Sequence, residues 1–221
     1  MSGRILGFGG RILGSSKNIA KYINSPESLI YQKSKVLYGI FESKQSIVKN
    51  DNCFLVEGYT DVIKMHQCGI SNVVASSGTA LTENQIRLIN RLTKNITVVF
   101  DGDAAGSRAA LRGIDLILEQ GMNVKICNLP EGDDPDSFVS NKNLEEVQSY
   151  LNKNSKDFIV YKASLLLDDS ENDPVKKAAV IRDMVESISK ISDYIKRELY
   201  IKECSSTVSY THLRAHETLL D

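Results

Sequence analysis

No run in this 221-residue chain approaches the ~18 consecutive apolar residues of a membrane span. Met1 is followed by SGRILGFGGR, which lacks the apolar core of a secretory signal, so the expectation is a cytoplasmic protein with no membrane partner. Cysteine is scarce and unpaired: Cys53, Cys68, Cys127 and Cys204 form no CxxC, which argues against a zinc knuckle or a disulfide framework and for reduced packing cysteines. His212 and His216 lie four apart with no third ligand near them in sequence, so no zinc site is expected. Net charge is also nearly absent, at −1, but it is unevenly spread: residues 1–50 carry eight Lys or Arg against two Glu, a net +6 that leaves −7 for the rest. A basic lobe beside an acidic one suits a polyanion held by one part and presented to the other; a solvated basic face is the plainer alternative.

What the chain does contain is rhythm. From Asn52 onward, short apolar runs alternate with helical segments: NCFLVEG, YTDVIKMHQCG, NVVASSG, TENQIRLINRLTK, NITVVFDGD, AAGSRAALRGIDLILEQG and NVKICNLPEG. Runs without strict alternation suit strands covered on both faces, so the expected fold class is α/β with a parallel sheet between helices. Thr82 and Gln85 form a capping box, and Gly69 and Gly121 sit where helices should stop. Upstream, GRILGFGGRILG reads as strand, turn and strand, NSPES as a turn, and KSKVLYGIFES as the start of a helix ending near Asp51. After Asp136 the strands disappear and helical spacing takes over, with Asp173 and Pro174 as a cap and first position.

The acidic residues fall at the strand ends. Glu57 ends the first strand of the repeat, Asp101 and Asp103 end the third, and Asp133, Asp134 and Asp136 follow the fourth, while Asp61 lies one helical turn past Glu57. Ligands of open α/β sheets bind beyond the carboxyl ends of the strands. Carboxylates gathered there repel one another unless a cation compensates, and an all-oxygen set suits a hard cation, Mg²⁺ first. Such ions can promote in-line displacement at a phosphate. Asp101 and Asp103 alone would also suit a surface turn, and Asp134 followed by Pro135 would suit a helix cap. Arg11, Lys21, Lys33 and Lys35 could meet phosphates, or only water. SSGTALT (76–82) opens a helix whose backbone N–H groups could take a phosphate, though a capped turn explains it as well.

VEGYTDVIKMHQCGI, VVASSGTALTENQIRLI, VVFDGDAAGSRAALRGID and LPEGDDPDSFV together resemble the TOPRIM domain of bacterial replicative DNA primases of the DnaG type. FGGRIL, KYINSPES and KSKVLYG resemble the end of that family's basic subdomain, and DPVKKAAVIRDMVESISKI with IKRELYIKEC its helical subdomain. The resemblance implies a TOPRIM-type parallel sheet in an RNA polymerase core. That core would make short RNA primers on a single-stranded DNA template from ribonucleoside triphosphates, using Mg²⁺ or Mn²⁺ and no zinc in this region. By position, Glu57, Asp101 and Asp103 match catalytic metal ligands, Asp61 the acid of EGYxD, and Asp134 and Asp136 the DPD carboxylates. Arg11, Lys21, Asn24, Lys33 and Lys35 fall in the nucleic-acid-facing segment. The implied organisation is 1–50 basic, 51–140 catalytic, 141–205 helical, and a tail at 206–221, STVSYTHLRAHETLLD, that departs from the family and is read as non-native. The family's zinc-binding and helicase-binding domains are expected to be missing, so contact with the replicative helicase would need a part not present here.

Two rival readings fit the same residues. VVFDGDAAG is also similar to haloacid-dehalogenase phosphatases, with Asp101 as nucleophile. That family places its motif near the chain start, whereas two βα units precede it here. A DNA- and metal-binding scaffold without activity is the other.

Overall fold

In a computed structural model, residues 3–11, 22–77, 80–102, 108–168 and 174–217 are described. The βα rhythm becomes a five-stranded sheet. Its strands are β3 (Cys53–Val56), β4 (Val73–Ala75), β5 (Asn95–Phe100), β6 (Asn123–Asn128) and β7 (Ser155–Asp157), in spatial order β4-β3-β5-β6-β7. The first four are mutually parallel; β7 runs antiparallel on the edge, with Ile126 opposite Lys156. The mixed edge corrects the expectation that strands end with Asp136. SKD is three polar residues long and carries no apolar signal, so backbone pairing alone makes it a strand.

Both sheet faces are buried, which explains the lack of strict alternation in the strand sequences. Leu55, Val74, Ile96, Val98, Phe100, Val124 and Ile126 face one core. With them pack α1 (Ile40–Asn50), α3 (Glu83–Asn90), α4 (Arg108–Glu119), α7 (Phe158–Asp168) and α8 (Pro174–Ser189). Val56, Val73, Ala75, Val99 and Cys127 face the other, against α2 (Tyr59–Gln67), α5 (Pro135–Ser140) and α6 (Leu144–Asn154). Ile86 and Ile89 of α3 are fully buried, each contributing about 1.5–3 kcal/mol by leaving water. Gly69 and Gly121 end α2 and α4 at φ +98° and +71°, as their positions predict.

The N-terminal segment differs in detail from its sequence pattern. β1 (Gly9–Arg11) pairs antiparallel with β2 (Tyr22–Asn24), so KYIN supplies the partner strand; the second RILG continues past Arg11 into residues outside those described. KSK forms a single 3-10 turn, Lys33–Lys35, and the helix starts later, at Ile40. At the other end, α9 (Tyr194–Glu217) continues into the tail that departs from the family's sequence. Asp173, proposed as the cap of α8, lies outside the described residues, while Pro174 does open that helix. Among the described residues no helix is long and apolar enough to cross a membrane.

Candidate active site

The sheet order places a topological switch at β3. The chain leaves β3 to form β4 on one side, then crosses to form β5 on the other. Ligands of such sheets bind where the strand order reverses. Glu57 follows β3 and Asp101 follows β5, and the parallel register, Leu55 beside Val98, brings these two positions to the same end of neighbouring strands. Glu57 is exposed and Asp101 half-buried. Asp103 lies outside the described residues.

The local backbone around Asp101 is tightly fixed. Leu129 N–H donates to the Phe100 carbonyl at 3.1 Å and Gly102 N–H to the Asp133 carbonyl at 3.0 Å, which ties the ends of β5 and β6 together. Residue 102 must be glycine, because an added Cβ would overlap the Pro130 carbonyl oxygen. The loop that carries the DPD carboxylates therefore lies directly against the backbone that carries Asp101.

Asp61 belongs to the same neighbourhood. It is buried in the first turn of α2, where its Oδ2 accepts the Gly58 N–H at 2.9 Å. Burial pushes its carboxyl up to about 6, and the negative charges of Asp101, Asp134 and Asp136 push in the same direction against the Gly58 hydrogen bond. Four carboxyl groups from three separate segments of the chain thus share one electrostatic field. Asp134 caps α5, its Oδ1 accepting Ser137 N–H at 2.7 Å, so the cap alternative holds for it whatever else it does. Asp136 faces Lys64 Nζ at 3.8 Å. Among the described residues no three His, Cys, Asp or Glu side chains converge on a common point. The donors near the site are carboxylate oxygens, which fits a hard cation and not a soft one.

The basic segment meets this end of the sheet. Tyr59, two residues after Glu57, donates its hydroxyl to the Gly10 carbonyl at 3.1 Å. A Cβ on Gly9 would sit 3.1 Å from the Tyr59 ring, so the glycine at this position of β1 permits close docking. Tyr38 packs against Tyr59 with ring centroids 5.6 Å apart. Its backbone bridges Ala75 at the end of β4, with both hydrogen bonds formed. Arg11 and Asn24 lie on the β1–β2 hairpin, and Lys33 and Lys35 on the 3-10 turn; Lys21 lies outside the described residues. Tyr59 had no functional signal in sequence beyond its place within EGYTD.

Three family models match the chain: "DNA primase catalytic core, N-terminal domain" at residues 1–44, "Toprim-like" at 54–139, and "DnaB-helicase binding domain of primase" at 172–209. The last match corrects the expectation that nothing here corresponds to a helicase-binding part. A Clostridium acetobutylicum protein named DNA primase is 40% identical over 205 residues, spanning 92% of this chain and 33% of its own length. A solved structure of the DnaG catalytic core is 32% identical with a TM-score of 0.82, covering 94% of this chain and 67% of that one. A DnaG primase catalytic domain bound to single-stranded DNA is 31% identical with a TM-score of 0.80, covering 92% and 66%. The chain spans about a third of the length of the curated relatives it matches. Neither the phosphatase reading nor the scaffold reading is favoured by these likenesses. Similar sequence and similar fold along nearly all of its length show that the chain belongs to the family of bacterial DNA primases of the DnaG type.

Proposed function

We propose that this chain is the nucleotidyl-transfer core of a primase, joining ribonucleoside triphosphates into a short RNA primer on a single-stranded DNA template. The observation that carries the reading is the pairing of Glu57 and Asp101 at the switch point of the sheet, with a basic segment docked against the same end through Tyr59. A Mg²⁺ or Mn²⁺ ion held by Glu57, Asp101 and Asp103 would activate the attacking hydroxyl and stabilise the leaving pyrophosphate. The protein's part is to hold these oxygens on rigid strand ends and to keep the carboxylates of the DPD loop within electrostatic reach. Asp61, through its bond to Gly58 N–H, fixes the turn on which Glu57 sits. Arg11, Lys21, Asn24, Lys33 and Lys35 would orient template or triphosphate; the relative bound to single-stranded DNA supports a single-strand partner for the chain.

The match at 172–209 supports contact between α8, α9 and the replicative helicase. A primase with these partners works where the bacterial chromosome is copied, in the cytoplasm. The test is labelled ribonucleotide incorporation on single-stranded DNA with Mg²⁺ or Mn²⁺, comparing the chain with Asp101→Asn. Incorporation by the parent and a loss of at least ~10²-fold in the variant is expected; equal incorporation by both would remove Asp101 from the site.

A further inference from the structure

The capping box of α3 does more than end a helix. A cap requires only that Gln85 Oε1 accept the Thr82 N–H, at 3.0 Å, and that Thr82 Oγ1 accept the Gln85 N–H, at 3.3 Å. The Gln85 amide nitrogen is not needed for this, yet it donates to two carbonyls far away in sequence, Lys33 O at 3.0 Å and Val36 O at 2.9 Å. Thr82 Oγ1 donates to Ser34 O at 2.6 Å. Three carbonyls of one short basic turn are therefore held by two side chains of the catalytic domain. Gln85 is completely buried while doing so, so each of its bonds is made away from competing water.

The turn so held is the one that carries Lys33 and Lys35. From the other side, Lys33 N–H donates to Glu27 Oε1 at 3.0 Å. Among the described residues neither lysine side chain is in an ion pair, and Lys35 is exposed. The turn leads directly into Tyr38, which bridges Ala75 at the carboxyl end of β4, next to the Glu57 strand. Two unneutralised cations thus stand on a rigid rim at the acidic end of the sheet.

We propose that Gln85 is a positioning residue for nucleic-acid binding: it fixes the Lys33–Lys35 turn so that both cations meet phosphates of one strand. Holding the turn beforehand removes the ordering cost that a loose loop would incur on binding. The inference rests on the polynucleotide reading of the chain and deepens it.

The experiment measures binding of a fluorescein-labelled oligothymidylate across a salt series, at a temperature where circular dichroism shows every variant folded. Gln85→Met keeps the side-chain volume and every charge, but removes the bonds to the turn. Ile89→Val, in the buried face of the same helix, removes a methyl and leaves the turn untouched. The double variant Lys33→Gln, Lys35→Gln sets the scale, since two lost phosphate contacts lower the salt slope by about 1.4 on single strands. Gln85→Met should weaken binding several-fold and flatten the slope toward that of the double variant, whereas Ile89→Val should retain the parent slope. An unchanged slope in Gln85→Met, or equal flattening by Ile89→Val, overturns the proposal. An unchanged slope in the lysine double variant overturns it too, by removing the turn from the binding surface. That outcome leaves the polymerase reading, tested at Asp101, standing.

Discussion

Asp61 bears the electrostatic cost of the site most directly. Its folded carboxyl lies near 6, above the ordinary carboxylate value, because burial and the surrounding aspartates favour the protonated form. The folded chain therefore binds that proton more tightly than the unfolded chain, and stability falls as pH rises from about 4 through 6. Asp61→Asn keeps an oxygen for Gly58 N–H and removes the charge, so it should raise metal-free stability at pH 7 by about 2 kcal/mol and flatten the pH dependence. Urea melts at a series of pH values check this; a variant less stable than the parent at pH 7 would show that Asp61 is not held under repulsion. Gly102 is the second residue with a sharp expectation. Gly102→Ala forces a methyl into the Pro130–Glu131 backbone and should cost about 2–4 kcal/mol. Thermal unfolding would reveal it, and a cost under ~0.5 kcal/mol would mean that the two loops separate easily. Glu57, Asp101 and Asp61 could be placed from sequence because each follows an unmistakable apolar strand. The second bond set of Gln85 could not, since a capping box looks the same whether or not its amide reaches a turn some fifty residues earlier.

Among the elements, the junction of α4 with α8 is one that couples the sheet to the region matching the helicase-binding model, beside the bonds from Tyr200 to Asp157 and from Lys196 to Asn123, each at 2.6 Å. Asp115 of α4 accepts Ser187 Oγ at 2.8 Å and Lys190 Nζ at 3.2 Å, and Ser187 in turn accepts the buried Lys162 Nζ at 2.7 Å. Glu119 adds a second carboxylate 3.5 Å from Lys190. Removing one member leaves the others underpaired. Asp115→Ala should cost about 1–3 kcal/mol, with amide exchange rising first in α8. Exchange rising uniformly over the sheet instead would contradict a local lock. The helices of this junction were legible through their spacing and through Pro174. β7 was not, because a three-residue polar edge strand is specified by its neighbour's backbone. The partner of β1 was also misread, because RILG repeats itself and KYIN does not advertise a strand.

Across the molecule, a basic N-terminal segment, a sheet with an acidic carboxyl end and a helical C-terminal region follow one another along the chain. The uneven charge and the βα rhythm disclose that order in the sequence. How the basic segment docks does not follow from charge; it depends on one tyrosine hydroxyl, the glycine at position 9 and a glutamine amide. The proposed function is that these parts together copy DNA into RNA. It is tested most directly by supplying each labelled ribonucleoside triphosphate in turn with single-stranded homopolymer templates and a divalent cation. Oligothymidylate should direct adenylate into an alkali-labile product, other templates should direct only their own complements, and Glu57→Gln should abolish all of it. Incorporation independent of template sequence, or phosphate release through an aspartyl-phosphate in place of chain growth, would contradict it.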